Sequence, residues 1–222
     1  MDIVAILIQL LEGVVVTLEI FGFTLVFSIP LGLLVAKGRM SKNIVVSSIF
    51  RFYISVLRGT PLMLQLLLVY FGPYYLFKIK IVDIALGPFE YRFIATIIGF
   101  SLNYAAYFAE IFRGGIQSMP QGQYEAATVL GFTRMQTYFR IILPQVIKRV
   151  LPSVTNEVIT LVKDTSLAQV LSVTEMFTSA KNLASSQVSV MPFIVAGLFY
   201  YIMNGVIEII MNRAEKKMNY YS

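Results

Sequence analysis

The chain has 222 residues, 57% of them hydrophobic, with a mean hydropathy of +0.75; soluble globular proteins hold roughly 45–50% apolar residues, so an ordinary globule is excluded and a bilayer is the expected solvent. Cysteine, histidine and tryptophan are absent, which excludes disulfide staples, thiol chemistry and Cys/His metal centres. The net charge of +6 comes from basic residues at the ends of apolar runs rather than in one patch, a distribution that fits membrane orientation and not nucleic-acid binding.

Since a bilayer core of about 30 Å needs about 20 apolar residues per helix, five passes are expected. The first runs from about Ile8 to Ala36 and ends at Lys37, Gly38 and Arg39. Asp2, Glu12 and Glu19 stand where a cleaved signal would be basic, so this segment is expected to be retained. Glu12 and Glu19 share a helical face that could meet a partner subunit or a water-filled cleft. The second apolar zone, Ile44 to Phe77, is too long for one straight pass and is interrupted by Arg58-Gly59-Thr60-Pro61. Proline removes a backbone donor there, so a break with freed amides is predicted, and a half-helix starting after Thr60 would aim its positive end into the gap. A packing kink is the plainer alternative.

Phe93 to Phe112 forms the third pass, with Asn103 and Tyr107 near its middle. Asn103 could serve a cavity or act as a polar hinge. Glu110 and Arg113 are three apart and are expected to pair, in a gating or structural role. The fourth pass, about Phe139 to Val162, runs into Lys163 and Asp164. Glu157 and Asp164 lie two turns apart on one face and could hold an ammonium or guanidinium group, unless Lys163 and Arg58 neutralise them within the protein. The fifth pass is Val190 to Met211, with Glu208 near its inner end.

With the amino terminus outside, Lys37, Arg39, Lys42, Arg113, Arg134, Arg140, Lys148, Arg149, Arg213, Lys216 and Lys217 collect on the inner side. The outer side then holds only Lys78, Lys80, Arg92 and Lys181. This bias orients the chain with its carboxyl terminus in the cytoplasm. The fold class expected is an all-α polytopic membrane protein, one transmembrane domain over 1–222.

The polar interval of about 113–138 is therefore cytoplasmic. A helix through Gln121 to Leu130 puts Ala126, Ala127 and Leu130 on one small apolar face, with Glu125 toward its positive pole and Gly131 ending it. Small alanines on an exposed helix allow another backbone to come close. Taken alone, this helix reads equally well as an ordinary surface element.

Its spacing resembles the EAA loop of the permease subunits of binding-protein-dependent ABC importers. Glu125-Ala126-Ala127, Gly131, Ile141 and Leu143-Pro144 match every defined position. Arg58 to Pro61, Glu110 to Ile116, Gly122-Gln123, Asn156-Glu157 and Lys163 to Leu167 further resemble the polar amino-acid branch, over roughly residues 10 to 210.

The resemblance implies the type I importer permease fold, with a cytoplasmic coupling helix that docks on a separate ATPase through Glu125, Ala126, Ala127 and Gly131. It also implies a multi-pass protein of the cell membrane, an extracytoplasmic solute-binding protein, and ATP and magnesium on the partner chain only. No catalytic residue, metal ligand or cofactor is assigned to this chain, which also lacks a Gly-x-x-x-x-Gly-Lys-Ser/Thr phosphate loop.

Substrate contacts are expected from Arg58, Thr60, Asn103, Tyr107, Glu157 and Asp164. The acidic pair favours a basic amino acid, with glutamine or glutamate as the alternative. Five passes make too small a bundle to enclose a pathway, so a second permease subunit, identical or related, is expected beside lipid. Two other classes fit less well: an ion-coupled secondary transporter, which lacks a use for the docking loop, and an intramembrane hydrolase built on Lys163 and Ser166.

Overall fold

The computed structural model describes residues 3–78 and 87–218, and among them every regular element is helical. Lys80 and Asp2 lie outside the described residues. Helix α1 (Ile3–Arg39) is followed by α2 (Ile44–Gly59), whose first amides are capped by Asn43 Oδ1, 2.9 Å from Val45 N. Only Thr60 and Pro61 separate α2 from helix α3 (Leu62–Phe77), and the chain bends by 112° between the two. Each half has 16 residues, or ~24 Å of rise, so neither crosses a ~30 Å core alone. The predicted break at Thr60 and Pro61 is therefore a sharp fold in the chain rather than a gentle kink.

Helix α4 (Pro88–Gln117) is the central element. In its most apolar stretch 67% of residues are buried, against 22% in α1 and 6% in α9 (Met191–Lys217), so α4 is enclosed by protein while α1 and α9 turn most of their side chains outward. Glu12, Glu19 and Glu208 are among these exposed residues. Phe100, Tyr104 and Phe108 descend one face of α4 and pack with Ile20, Leu66 and Leu161 in the main core. Thr24 and Ser28 on α1 are fully buried; small side chains of this kind let membrane helices approach closely.

After α4 come α5 (Gln121–Val129), a single turn α6 (Arg134–Gln136) closed by a Thr133/Gln136 capping box, and a π-helical stretch from Thr137 to Ile142. Helix α7 (Leu143–Asp164) follows. The interval 113–138 thus begins inside α4, which continues to Gln117.

Among the described residues three single helices, α1, α4 and α9, are long and apolar enough to cross a membrane, and the α2–α3 pair makes a fourth if counted as one span. The expected fourth pass, α7, has the length, 22 residues or ~33 Å, but Lys148, Arg149, Asn156, Glu157, Lys163 and Asp164 dilute its hydropathy. Its apolar residues Val146, Val150, Val158 and Leu161 are buried against neighbours, while Glu157, Thr160 and Asp164 border a polar cavity.

Beyond α7 a 3₁₀ stretch (Thr165–Leu171) leads to α8 (Met176–Gln187), which the hydropathy pattern did not suggest. Glu175 caps α8 and is fully buried. Its carboxylate accepts from Phe177 N at 2.7 Å, Thr178 N at 2.8 Å, Thr178 Oγ1 at 2.9 Å and Tyr200 Oη at 3.2 Å, a donor set that replaces lost hydration without a cation.

Candidate functional site: a polar cavity between α3, α4 and α7

The break between α2 and α3 leaves carbonyls that have no helical partner. Gln65, buried one turn into α3, answers them: its Nε2 donates to Leu57 O at 2.9 Å, Thr60 O at 3.1 Å and Thr60 Oγ1 at 2.9 Å. Asn103 Nδ2 on α4 donates to the same Leu57 O at 3.1 Å and to Gln65 Oε1 at 2.9 Å. Asn103 is thus tied to the hinge through its amide nitrogen, while its residue still borders the cavity beyond. Gln65 carries much of this geometry and was not singled out in the sequence, where one glutamine in a leucine run gives no spacing signal.

Beside the break lies a cavity of about 240 Å³ bordered by Thr60, Asn103, Tyr107, Glu157, Thr160 and Asp164. Five of the six residues expected at a substrate site therefore share one space. The sixth, Arg58, stands beside it, its guanidinium carbon 5.2 Å from the centroid of the Tyr107 ring, a cation–π distance. Leu62 and Tyr104 complete the walls, so the amino end of α3 borders the cavity with the positive pole of its dipole.

The two acids are not equivalent. Tyr104 Oη donates to Asp164 Oδ2 at 2.7 Å, whereas the Glu157 carboxylate makes no hydrogen bond or ion pair among the described residues. Arg58 acts on Glu157 only through space. Neither Arg58 nor Lys163 forms a salt bridge among the described residues, the only such bridge being Arg113 to Glu110. The cavity is accordingly a half-buried, acidic space with an unengaged carboxylate, suited to an organic cation small enough to enter.

Lys163 points elsewhere. It borders a separate cavity with Ser166, Phe177 and Tyr200. Ser166 Oγ donates to the Lys163 backbone oxygen at 2.8 Å and not to its amine, so the serine–lysine dyad that a hydrolase would need is not assembled.

After α4, α5 spans Gln121–Val129 and is closed by a Schellman arrangement: Phe132 N donates to Ala127 O and Gly131 N to Thr128 O, both at 3.0 Å. Gly131 has φ of +77°, a left-handed conformation that an L side chain strains. Ala127 is buried, but Ala126 and Leu130 are exposed with Glu125. The single apolar face expected for Ala126, Ala127 and Leu130 is therefore divided. Ala127 seats the helix on its own chain, and Ala126, Val129 and Leu130 are exposed.

A family model described as the binding-protein-dependent transport system inner membrane component matches residues 28–220. The chain belongs to this family. It is 34% identical over 211 residues to the L-cystine transport system permease protein TcyB of Bacillus subtilis, covering 94% of this chain and 86% of that protein. It is likewise 34% identical over 210 residues to the arginine transport system permease protein ArtQ of Bacillus subtilis, covering 94% of this chain and 92% of that one. Among solved structures, a crystal structure of an amino acid ABC transporter with histidines superposes with a TM-score of 0.85 at 29% identity, covering 97% of each chain. The chain is thus an amino-acid ABC importer permease, a transport component rather than an enzyme, with the type I fold.

The inner-membrane permease pairs Glu110 with Arg113 through two contacts, Nε to Oε1 at 3.0 Å and Nη2 to Oε2, and Arg113 also reaches Gln117 Oε1. This bidentate pair sits below the polar cavity on the same helix.

Proposed function

We propose that the permease imports a basic L-amino acid such as arginine, lysine or histidine, driven by ATP hydrolysis on partner ATPase subunits that grip α5. Thr60 and the amino end of α3 receive the substrate carboxylate, and Glu157 with Asp164 receives its cationic end. Tyr107 and Asn103 line the space between, and Arg58 stands at its edge. The single observation that carries this reading is the cavity that joins the broken-helix end at Thr60 to the unengaged carboxylate of Glu157.

Coupling is assigned to Glu125, Ala126, Ala127 and Gly131, with a second permease subunit across a two-fold axis and an extracytoplasmic binding protein supplying the ligand. The amino terminus lies outside, and α5 and the carboxyl terminus lie in the cytoplasm. Glu110, Arg113 and Lys163 have gating or structural roles. Alternation between outward and inward access needs two packings that nucleotide and substrate favour differently.

A glutamine- or glutamate-type substrate is the second reading. It is favoured by the Tyr104 hydroxyl on Asp164, which leaves one carboxylate free rather than two.

The test is reconstitution of the permease with its ATPase and binding protein in proteoliposomes, followed by uptake of labelled arginine, glutamine and cystine with and without internal ATP. ATP-dependent uptake led by arginine is expected. Uptake led by glutamine selects the second reading, and uptake indifferent to the ATPase would return the question to ion coupling.

A further inference from the structure

Helices α4 and α7 run antiparallel in a fixed register. Tyr104 meets Asp164 at one end, and at the other Gly115 lies so close to α7 that an added Cβ would stand 2.1 Å from Val150 Cγ1. In this register Asn103, Tyr107, Glu110 and Gly114 of α4, with Ser118 just past its end, share one face, as do Asp164, Thr160, Glu157, Ser153 and Arg149 of α7, each three or four residues from the next. The cavity described above occupies the upper half of this seam. A second one, of about 460 Å³, occupies the lower half, where Glu110, Gly114, Ser118, Arg149 and Ser153 face it. One helical turn separates them, Tyr107 to Glu110 on one wall and Glu157 to Ser153 on the other, or ~5–6 Å of rise.

The lower cavity carries opposite charges on opposite walls. Glu110 is held by Arg113, yet each carboxylate oxygen keeps a second acceptor site. Arg149 Nη1 donates to Ser118 O at 2.6 Å and Ser118 Oγ at 3.2 Å, which leaves Nε and Nη2 without a hydrogen bond among the described residues. An acceptor on α4 facing a guanidinium fork on α7 complements a zwitterion, the part every amino acid shares whatever its side chain. The volume lies within the ~300–1,000 Å³ of small-molecule sites.

Resting on the importer reading, we propose that this lower cavity is a release-side subsite, in which Glu110 takes the α-ammonium group and Arg149 the α-carboxylate of the substrate after it leaves the upper cavity. Selection among side chains belongs to Glu157 and Asp164 above. The lower site recognises only the amino-acid head, so it guides any accepted substrate toward the cytoplasm.

Gly114 supplies the test. A Cβ there meets nothing within 4 Å, so a larger side chain fills the cavity without displacing the core, whereas its neighbour Gly115 has no such room. In proteoliposomes holding the full complex, G114L and R149Q are expected to lower ATP-driven uptake of labelled arginine, or of whichever amino acid the wild type carries, at least tenfold. G114A should keep at least half of wild-type uptake, and R149K should exceed R149Q. The ATPase subunits and the second permease subunit should still co-purify with each variant.

Uptake by R149Q or G114L within twofold of wild type would overturn the proposal. So would loss of the ATPase or of the second permease subunit from G114L, since the cavity would then be a subunit contact. Absence of ATP-dependent amino-acid uptake by the wild type would instead strike the importer reading, and this inference with it.

Discussion

Asn103 Nδ2 lies 2.9 Å from Gln65 Oε1, and both amides converge on the carbonyl of Leu57. Two buried side chains from different helices thus hold the 112° fold between α2 and α3 and fix the direction in which the amino end of α3 meets the cavity. Because both amides are buried, the pair stabilises the break more than two isolated surface hydrogen bonds would.

Replacing Gln65 by Leu should leave Leu57 O and Asn103 underbonded. Loss of about 1–3 kcal/mol is expected, read as a lower thermal midpoint of the purified protein. Since Gln65 does not border the cavity, relative affinities for arginine and glutamine should fall together. A selective loss of one substrate would identify Gln65 as a contact instead of a positioning residue. In a double-mutant cycle with Asn103→Leu the two losses should be strongly non-additive.

The difference between Glu157 and Asp164 gives the second prediction. Glu157→Gln removes the free charge and should weaken a cationic amino acid at least tenfold more than a neutral one. Asp164→Asn keeps a partner for the Tyr104 hydroxyl, so it should discriminate less between the two classes. Equal losses for arginine and glutamine in Glu157→Gln, measured by equilibrium binding, would assign that carboxylate to structure.

How much of this was readable beforehand depends on the range of each interaction. The break at Arg58 to Pro61 is legible because proline acts on its own backbone, and the shared face of Glu157 and Asp164 is legible because helical period is local. Gln65 was not, since its partners are carbonyls freed by a fold that forms around it. The unequal status of the two acids depends on Tyr104, 60 residues from Asp164 in sequence. Likewise the burial of Ala127 but not Ala126 is decided by the π-helical return below α5, which no periodicity announces. Helix α7 shows the limit of composition: its charges keep it below the hydropathy of a membrane span, yet it has a span's length, and Glu157, Thr160 and Asp164 border a polar cavity.

Glu175 provides a test of stability separate from transport. Four donors surround its carboxylate, and two of them are backbone amides at the start of α8, so Glu175→Ala strands both. A loss of about 1–3 kcal/mol is expected from the unmet donors. Tyr200→Phe leaves both backbone amides with their acceptor and removes the longest of the Glu175 contacts, so it should lose less. Thermal unfolding of the two variants checks the order, and a larger loss for Tyr200→Phe would refute it.

Gly131 connects α5 to the membrane helices through a backbone conformation rather than a side chain. At φ of +77° a β-branched residue is strained by roughly 1–2 kcal/mol, enough to favour reopening the Schellman turn and swinging the exposed Ala126, Val129 and Leu130 away from their present orientation. Space is not the obstacle, because a Cβ at Gly131 meets nothing within 4 Å. Gly131→Val should therefore leave amino-acid binding in the α4–α7 cavity within twofold while ATP-driven uptake falls at least tenfold. Gly131→Asn, which tolerates the left-handed region better, should restore a substantial part of that uptake. If asparagine and valine are equally inactive, conformation is not the property that glycine supplies here, and direct contact between Gly131 and the ATPase becomes the better account.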